Sequence, residues 1–322
     1  MPALKIATLI PAFRTDFLED TLKCLGRQSY RNFDCYLADD SAELEVITLT
    51  ESLRERDFFN FHLEVLPGPR VGLSLANIRM LLSRIKGRYD LIHLFFDDDL
   101  LESDFYATHI NLHRHGNIRV SASARSIVDL AGVPVGRGNL PEKVGRSSKK
   151  QMLITDRYVA NTMIPTINNW VGEYSNMVFA SDCADYFGMT GWNGLHYGLG
   201  DVSCAIFAGS ELAYTSEVLG SFRMHDNSLT ADINNPSRKC SLLAWCQIAS
   251  DALDRGLISE DCARACIRTV CSLNANLYSG ASEMMRFQKI LDDMLLDRHL
   301  NFSKFTIEWK NYFRDNFAFL EI

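Results

Sequence analysis

Three adjacent aspartates, Asp97, Asp98 and Asp99, close the apolar run Leu91 to Phe96. Carboxylates side by side repel one another, and partial burial opposes their ionisation, so such a cluster calls for a cation. A divalent ion that prefers hard oxygen ligands answers the need. Mg²⁺ takes one or two protein carboxylates and completes its shell with phosphate oxygens and water; Mn²⁺ accepts similar ligands. The plain alternative is a solvated acidic turn. A second acidic pair, Asp39-Asp40, closes the run Phe33 to Ala38, where a helix N-cap is the ordinary use of an Asp. His109 and His113 stand four apart on an expected helix. That spacing can hold zinc, but no glutamate lies between them to act as base and no third ligand is evident, so a zinc site is not expected there.

The elements that must position these groups follow from the apolar pattern. Leu4 to Ile10 is a continuous apolar run ending at Pro11, as expected for a strand buried on both faces. Thr15 to Gln28 puts Leu18, Leu22 and Leu25 on one helical face. Strands over Phe33 to Ala38, Phe61 to Leu66 and Leu91 to Phe96 alternate with helices from Glu43 and over Ser74 to Lys86. Such alternation predicts an α/β fold with a mostly parallel central sheet flanked by helices. Ligands of such sheets sit outside the carboxyl ends of the strands. Those ends carry Pro11-Ala12-Phe13, Asp39-Asp40, Arg70 and the three aspartates.

The middle of the chain reads differently, with strand-like pieces at Ile118 to Ser123, Tyr174 to Ala180 and Leu212 to Met224. Gly136 to Lys150, rich in Gly and basic residues, is predicted to be a mobile loop. From Lys239 onward the chain is expected to be helical. Leu242, Cys246, Ala249 and Leu253 share a face; so do Cys266, Val270, Leu273 and Leu277, after an acidic start at Ser259-Glu260-Asp261. The expected division is 1–230 for one domain, in halves 1–100 and 101–230, and 231–322 for a helical C-terminal region.

Composition narrows the function. The formal net charge is −7 over 322 residues, a poor match to the basic stripe of a nucleic-acid binder. No segment has the roughly 18 consecutive apolar residues that a membrane span needs. Nine cysteines, an odd number without paired C-x-x-C spacing, argue against a disulfide framework. Cys262 and Cys266 read as core packing, and a reducing cytoplasm is the expected compartment.

Several pieces together resemble a known family, the inverting GT-A glycosyltransferases of family 2, over roughly residues 4 to 230. Ala7 to Phe13 is similar to the family's opening strand and its Pro-Thr-Tyr-Asn turn. Leu22 to Phe33, with Gln28-Ser29-Tyr30 and Asn32-Phe33, is similar to "SLLNQTYKNFE". Leu37 to Ser41 is similar to "VDDGS". Gly87 to Phe105 is similar to "GEYIxFLDxDDxxxPDFL", with Ser103 where proline is usual and Phe96 where the family has an Asp. Gly200-Asp201 resembles its "GEDxxL" box, with Gly200 in place of Glu. Ser221 to His225 resembles "YRxH", and Arg70 to Arg79 loosely follows "NxGxxxARN".

The resemblance implies roles. Pro11, Ala12 and Phe13 line the nucleobase pocket, and Asp40 of the Asp39-Asp40 pair accepts a hydrogen bond from the base. A carboxylate suits an imide N–H as in uracil, so a UDP-sugar is the favoured donor; thymine and guanine offer edges that an Asp also reads. Asp98 and Asp99 form the metal pair with Asp97 in shifted register, and Asp99 is the favoured direct ligand. His225 reaches the metal or the diphosphate, since a neutral imidazole can ligate. Arg70 or Arg79 pairs with the diphosphate. Asp201 is the catalytic base, and Trp170, Trp192 and Tyr197 fall where the family builds its acceptor site.

The expected reaction is metal-dependent transfer of a sugar from a nucleotide-diphosphate sugar to a hydroxyl of a glycan or lipid-linked glycan, with inversion, in surface polysaccharide biosynthesis. Two rivals stand beside it. A sugar nucleotidyltransferase wants a glycine-rich phosphate loop after the first strand, and the Pro11 to Asp16 turn has no glycine. A degenerate sugar-binding or scaffold protein of the same fold is the other. In the tail, Trp309, Tyr312, Phe313, Phe317 and Phe319 with Lys304, Lys310 and Arg314 are compatible with an amphipathic segment on the inner face of a membrane, or with packing on the catalytic domain or a second subunit of a homo-oligomer.

Overall fold

A computed structural model describes residues 3–72, 74–114, 116–187, 196–225 and 236–317. The chain forms two compact units. The first comprises Met1–Ile154, Trp170–Phe187 and Ala208–Met224; the second comprises Thr155–Asn169, Gly188–Phe207 and His225–Ile322. The fold of the first is an α/β sheet with helices, as the alternation predicts.

In the first unit, β1 (Ile6–Ala12), β2 (Phe33–Asp39), β3 (His62–Pro67) and β4 (Leu91–Leu94) are the four expected strands. Between them run α1 (Leu18–Gly26), α2 (Glu45–Glu55) and α3 (Ser74–Ile85). Every residue of β1 is buried, which is why it reads as an unbroken apolar run rather than an alternation. Leu18, Leu22 and Leu25 of α1 are 0% exposed and join the core with Ile6, Ile10, Leu37 and Phe105. Each such leucine contributes roughly 1.5–3 kcal/mol by leaving water.

Four further helices and strands complete the C-terminal side of this unit: β5 (Leu100–Leu101), α4 (Phe105–His113), β6 (Val120–Val128) and β7 (Pro134–Arg137). They are followed by α5 (Glu142–Gly145), β8 (Gln151–Ile154), β9 (Met177–Ala180) and β10 (Leu212–Arg223). The sheet order is β3-β2-β1-β4-β9-β6-β10-β5, with β7 on β6 and β8 on β10. The run β3-β2-β1-β4 is parallel throughout. Beyond it β9 pairs antiparallel with β4 and β6, while β6 and β10 are parallel to each other. The chain moves from β1 outward through β2 to β3, then returns to the other side of β1 as β4. That reversal between β1 and β4 is a topological switch point, the place where open α/β sheets leave a crevice for ligand.

Two expectations need correction. The stretch 136–150 is not a featureless loop: its first two residues belong to β7, which finds an edge on β6 to add to, and α5 occupies 142–145. In the second unit the tail aromatics turn inward. In α11 (Ser303–Phe317), Phe305 and Trp309 are 0% exposed and Phe313 is 8% exposed. Trp309 stacks edge-on against Phe287 of α10 (Ser282–Leu296). These rings are core and do not offer a face to a membrane; the side chain of Phe317 and all of Phe319 lie outside the described residues.

The second unit otherwise contains α6 (Asp156–Met163), α7 (Gly200–Phe207), α8 (Pro236–Asp254) and α9 (Glu260–Tyr278). Ser259 caps α9 by accepting from the Cys262 amide, with Glu260 and Asp261 in the first turn, where negative charge meets the positive end of the helix dipole. All nine cysteines are free thiols. No described helix is long and apolar enough to cross a membrane.

Candidate active site

The carboxyl ends of β1, β2 and β4 bring together most of the chemistry-bearing residues of the first unit. Pro11 and Ala12 are buried, while Phe13, the next residue, is 51% exposed. Asp97 ties this turn to the end of β4: its Oδ2 accepts the amides of Phe13 at 2.9 Å and Arg14 at 3.2 Å. The bond spans the switch point. Burial first, then the charge of Asp98, pushes the Asp97 carboxyl up to about 6.

Asp39 and Asp40 divide the work at the end of β2. Asp39 is 0% exposed; it accepts from the Ser41 amide at 2.8 Å and the Ile47 amide at 2.8 Å, and also from the Ser41 hydroxyl. The helix-capping role weighed for Asp40 therefore falls to Asp39. Asp40 instead accepts the amides of Arg70 and Gly72 from the loop after β3, the latter at 3.1 Å. Burial raises its pKa and these amides oppose the rise. Arg70 is exposed and holds a left-handed φ of 55°. The loop reaches Asp40 because residue 68 is glycine. A Cβ there would stand 2.8 Å from the Asp39 carbonyl oxygen, too close for any side chain.

Asp99 is the deepest of the three aspartates, at 1% exposed. Its Oδ1 accepts the Arg223 amide at 3.2 Å, and Ser175 adds a side-chain hydrogen bond. Burial, then Asp98, drives its pKa well above the ordinary carboxylate value. Asp98 is only partly buried, and its backbone oxygen accepts Arg223 Nε at 2.9 Å. Arg223, 2% exposed, also donates to the Leu130 carbonyl at 2.5 Å and lies over the Phe17 ring at 4.4 Å. Antiparallel pairing of β5 with β10, Leu101 against Gly220, brings Arg223 beside the aspartates.

The donor set fits a divalent cation of a particular kind. Two of the three carboxyls resist ionisation, first through burial and then through the charge of Asp98, and a cation would favour their charged forms. Yet Asp97 and Asp99 each commit an oxygen to backbone amides. Among the described residues no three His, Cys, Asp or Glu side chains gather into a ready cage. Mg²⁺ and Mn²⁺ need only one or two protein carboxylates when phosphate and water complete the shell.

The second unit carries Asp201 in the first turn of α7. It is 5% exposed; Oδ1 accepts the Val202 amide at 2.8 Å and Oδ2 accepts Asn169 Nδ2 at 2.8 Å. Just before it, His196 bonds Ser203 Oγ at 2.8 Å and Asp251 at 2.8 Å. This Ser-His-Asp series is 1% exposed at both His196 and Ser203, and Ser203 donates to the Leu199 carbonyl. It braces the turn that carries Asp201 and presents no nucleophile. Tyr197 is 5% exposed, with its hydroxyl on Ser237 and its ring against Phe313. Trp170, in the first unit, is 1% exposed and packs on Tyr214. Both rings belong to cores. His225 is partly buried, just past β10. Trp192 lies outside the described residues.

His109 and His113 point into the core beside β6. His109 Nδ1 meets Ser121 Oγ at 2.7 Å, and both nitrogens of His113 face carbonyls, those of Ile118 and Val178. The sequence reading did not single out Arg223, Ser175, Asn169 or the pair Arg125–Glu173. For Arg223 a signal was present: it ends β10 and stands at the arginine of the segment Ser221 to His225 that resembles "YRxH".

No protein-family model matches the sequence, and no curated protein is similar to it in sequence. Solved structures match in fold. Residues 1–349 of S. aureus TarS in complex with UDP-GlcNAc superpose with a TM-score of 0.55 at 12% identity, covering 87% of this chain and 76% of that one. The chain spans 45% of the length of full TarS. The mannosyltransferase PcManGT from Pyrobaculum calidifontis, in complex with GDP-Man and Mn²⁺, gives 0.55 at 10% identity, covering 98% and 85%. GalNAc-T7 with UDP, GalNAc and Mn²⁺ gives 0.52 at 13% identity, covering 98% and 57%. The fold is therefore the mixed α/β fold of GT-A glycosyltransferases.

Proposed function

We propose that the protein is a glycosyltransferase that moves a sugar from a nucleotide-diphosphate sugar to a hydroxyl acceptor. The observation that carries the reading is the cation-deficient cluster Asp97-Asp98-Asp99 at the switch point of this fold. Structures of similar fold were solved with UDP-GlcNAc and with GDP-Man and Mn²⁺. A UDP-sugar is the favoured donor, a glycan or lipid-linked glycan of a surface polysaccharide the favoured acceptor.

In this reading Phe13 offers its exposed ring to the base. Asp40 reads the base edge from the point where it holds the loop after β3. Arg70 extends from the loop that Asp40 holds and pairs with the diphosphate. Asp98 and Asp99, with Asp97 and His225 in support, would hold a Mg²⁺ or Mn²⁺ ion, whose chemistry is to neutralise the charge growing on the leaving diphosphate. Asp201 takes the proton of the attacking hydroxyl, and Asn169 fixes the orientation of its carboxylate. A single displacement by the acceptor oxygen inverts the anomeric centre.

The test is nucleotide release from a panel of UDP-, GDP- and dTDP-sugars with Mn²⁺ or Mg²⁺. Metal-dependent release from one donor, reduced at least a hundredfold in Asp201→Asn, is expected. Equal release by the variant would remove Asp201 from the chemistry. No release, together with no nucleotide binding, would remove the whole reading.

A further inference from the structure

Arg125 on β6 and Glu173 form a charge pair that the roles above leave unused. Arg125 Nε approaches Glu173 Oε2 to 2.9 Å, and Nη2 lies 3.4 Å from Oε1. The approach is poorly aligned: Nε and Oε2 are both buried without a well-directed hydrogen-bond partner. The Tyr214 hydroxyl, buried within reach of the same guanidinium charge, also has none. Arg125 is fixed by the backbone around it. A Cβ on Gly172, whose φ is +112°, would stand 2.5 Å from Arg125 Nη1, and one on Gly138 would stand 3.3 Å from it. Within the pair the carboxylate is the accessible member, 34% exposed against 12% for the arginine.

The pair stands against the aspartate cluster. The turn that begins at Glu173 continues to Ser175, whose Oγ accepts the Phe96 amide at 3.1 Å and bonds Asp99. Tyr174 packs its ring on Phe96 at 5.9 Å. Unlike the three aspartates, Glu173 has its charge matched by an arginine, so it has no call for a metal. Its Oε2 is buried, but its Oε1 accepts Arg125 Nη2 only at 3.4 Å and keeps capacity for a further donor. The group that a nucleotide-diphosphate sugar presents next to its phosphates is a ring rich in hydroxyl donors.

We propose that Glu173, held in place by Arg125, is a specificity residue that accepts hydrogen bonds from hydroxyls of the donor's sugar ring. The inference rests on the transferase reading and extends it to the sugar. A carboxylate accepting from a hydroxyl gives a charge-assisted bond. A site built around such a bond discriminates strongly against a ring that cannot make it.

The experiment compares wild type with Glu173→Ala, Glu173→Gln and Arg125→Lys. Calorimetry measures the affinity for UDP alone. Turnover of UDP-glucose, UDP-galactose and UDP-N-acetylglucosamine gives kcat/KM for glucose and for two rings that each differ from it at one position. The expected result is UDP affinity within twofold of wild type in every variant. In Glu173→Ala, kcat/KM for the best donor falls about tenfold to a hundredfold and the preference among the three donors collapses. Glu173→Gln and Arg125→Lys lie between, and melting temperatures confirm folding. Unchanged efficiency and preference, or a loss of UDP affinity equal to the loss of efficiency, would overturn the assignment of Glu173 alone. Wild type that binds no UDP-, GDP- or dTDP-sugar would overturn the transferase reading and this inference with it.

Discussion

Arg223 donates its backbone amide to Asp99 Oδ1 at 3.2 Å across 124 residues of sequence. The same residue sends Nε to the Asp98 carbonyl and Nη1 to that of Leu130. One buried arginine thus fixes both the main chain and a carboxylate of the acidic cluster.

Arg223→Lys keeps the charge and loses the planar fork. Two buried carbonyls then lose well-placed donors, at about 1–3 kcal/mol for each group left unsatisfied. Urea denaturation should show a loss in that range, and donor turnover should fall at least tenfold because the main chain at Asp98 is no longer held. A variant as stable and active as wild type would mean that Arg223 is passive packing.

Asp97 makes a stability prediction of definite sign. Its folded pKa is about 6 against an ordinary 3.8. A carboxyl raised in this way contributes stability that is complete below the unfolded value and is lost as pH rises through about 6. At pH 7.5 the metal-free protein bears this burden. Asp97→Asn should therefore melt higher than wild type at pH 7.5, and the gap should shrink as pH falls toward 4. A variant that melts lower at pH 7.5 would show that the bonds to Phe13 and Arg14 outweigh the charge.

His93 has the opposite dependence. It is fully buried, with Nδ1 on the Tyr106 hydroxyl and Nε2 on the Ser175 carbonyl, each at 3.0 Å. This suits a neutral ring whose Nε2 carries the proton. Burial lowers its pKa from 6.5 to about 4. Its contribution is present above 6.5 and is lost as pH falls through about 4. The stability of wild type minus that of His93→Gln should decline by about 1.4 kcal/mol per pH unit between those values. A difference independent of pH would contradict the assignment.

The parallel half of the fold is legible because β1, β2 and β4 are buried on both faces and the apolar runs halt at a Pro or an Asp. Leu91 to Leu94 reads as a strand for the same reason that Asp97 to Asp99 reads as a site: an apolar run halts on charge. Nothing local marks β7 or β8, whose four residues each become strands only because β6 and β10 offer edges. The partners of the site were hidden for a related reason. Asn169 and Asp201 are 32 residues apart, and Asp98 and Arg223 are 125 apart; such pairings are set by the tertiary fold. Asp39 and Asp40 look equivalent in sequence, and only the loop that Gly68 lets approach separates a helix-capping carboxylate from a loop-holding one.

The central claim is that the acidic cluster binds a nucleoside diphosphate through a shared divalent ion. Its most direct test is calorimetric titration of UDP with and without Mn²⁺, in wild type and Asp99→Ala. The account predicts binding that tightens at least tenfold with Mn²⁺ in wild type and loses that gain in the variant. UDP binding of equal strength with and without the metal, or a metal effect that survives in Asp99→Ala, would contradict it.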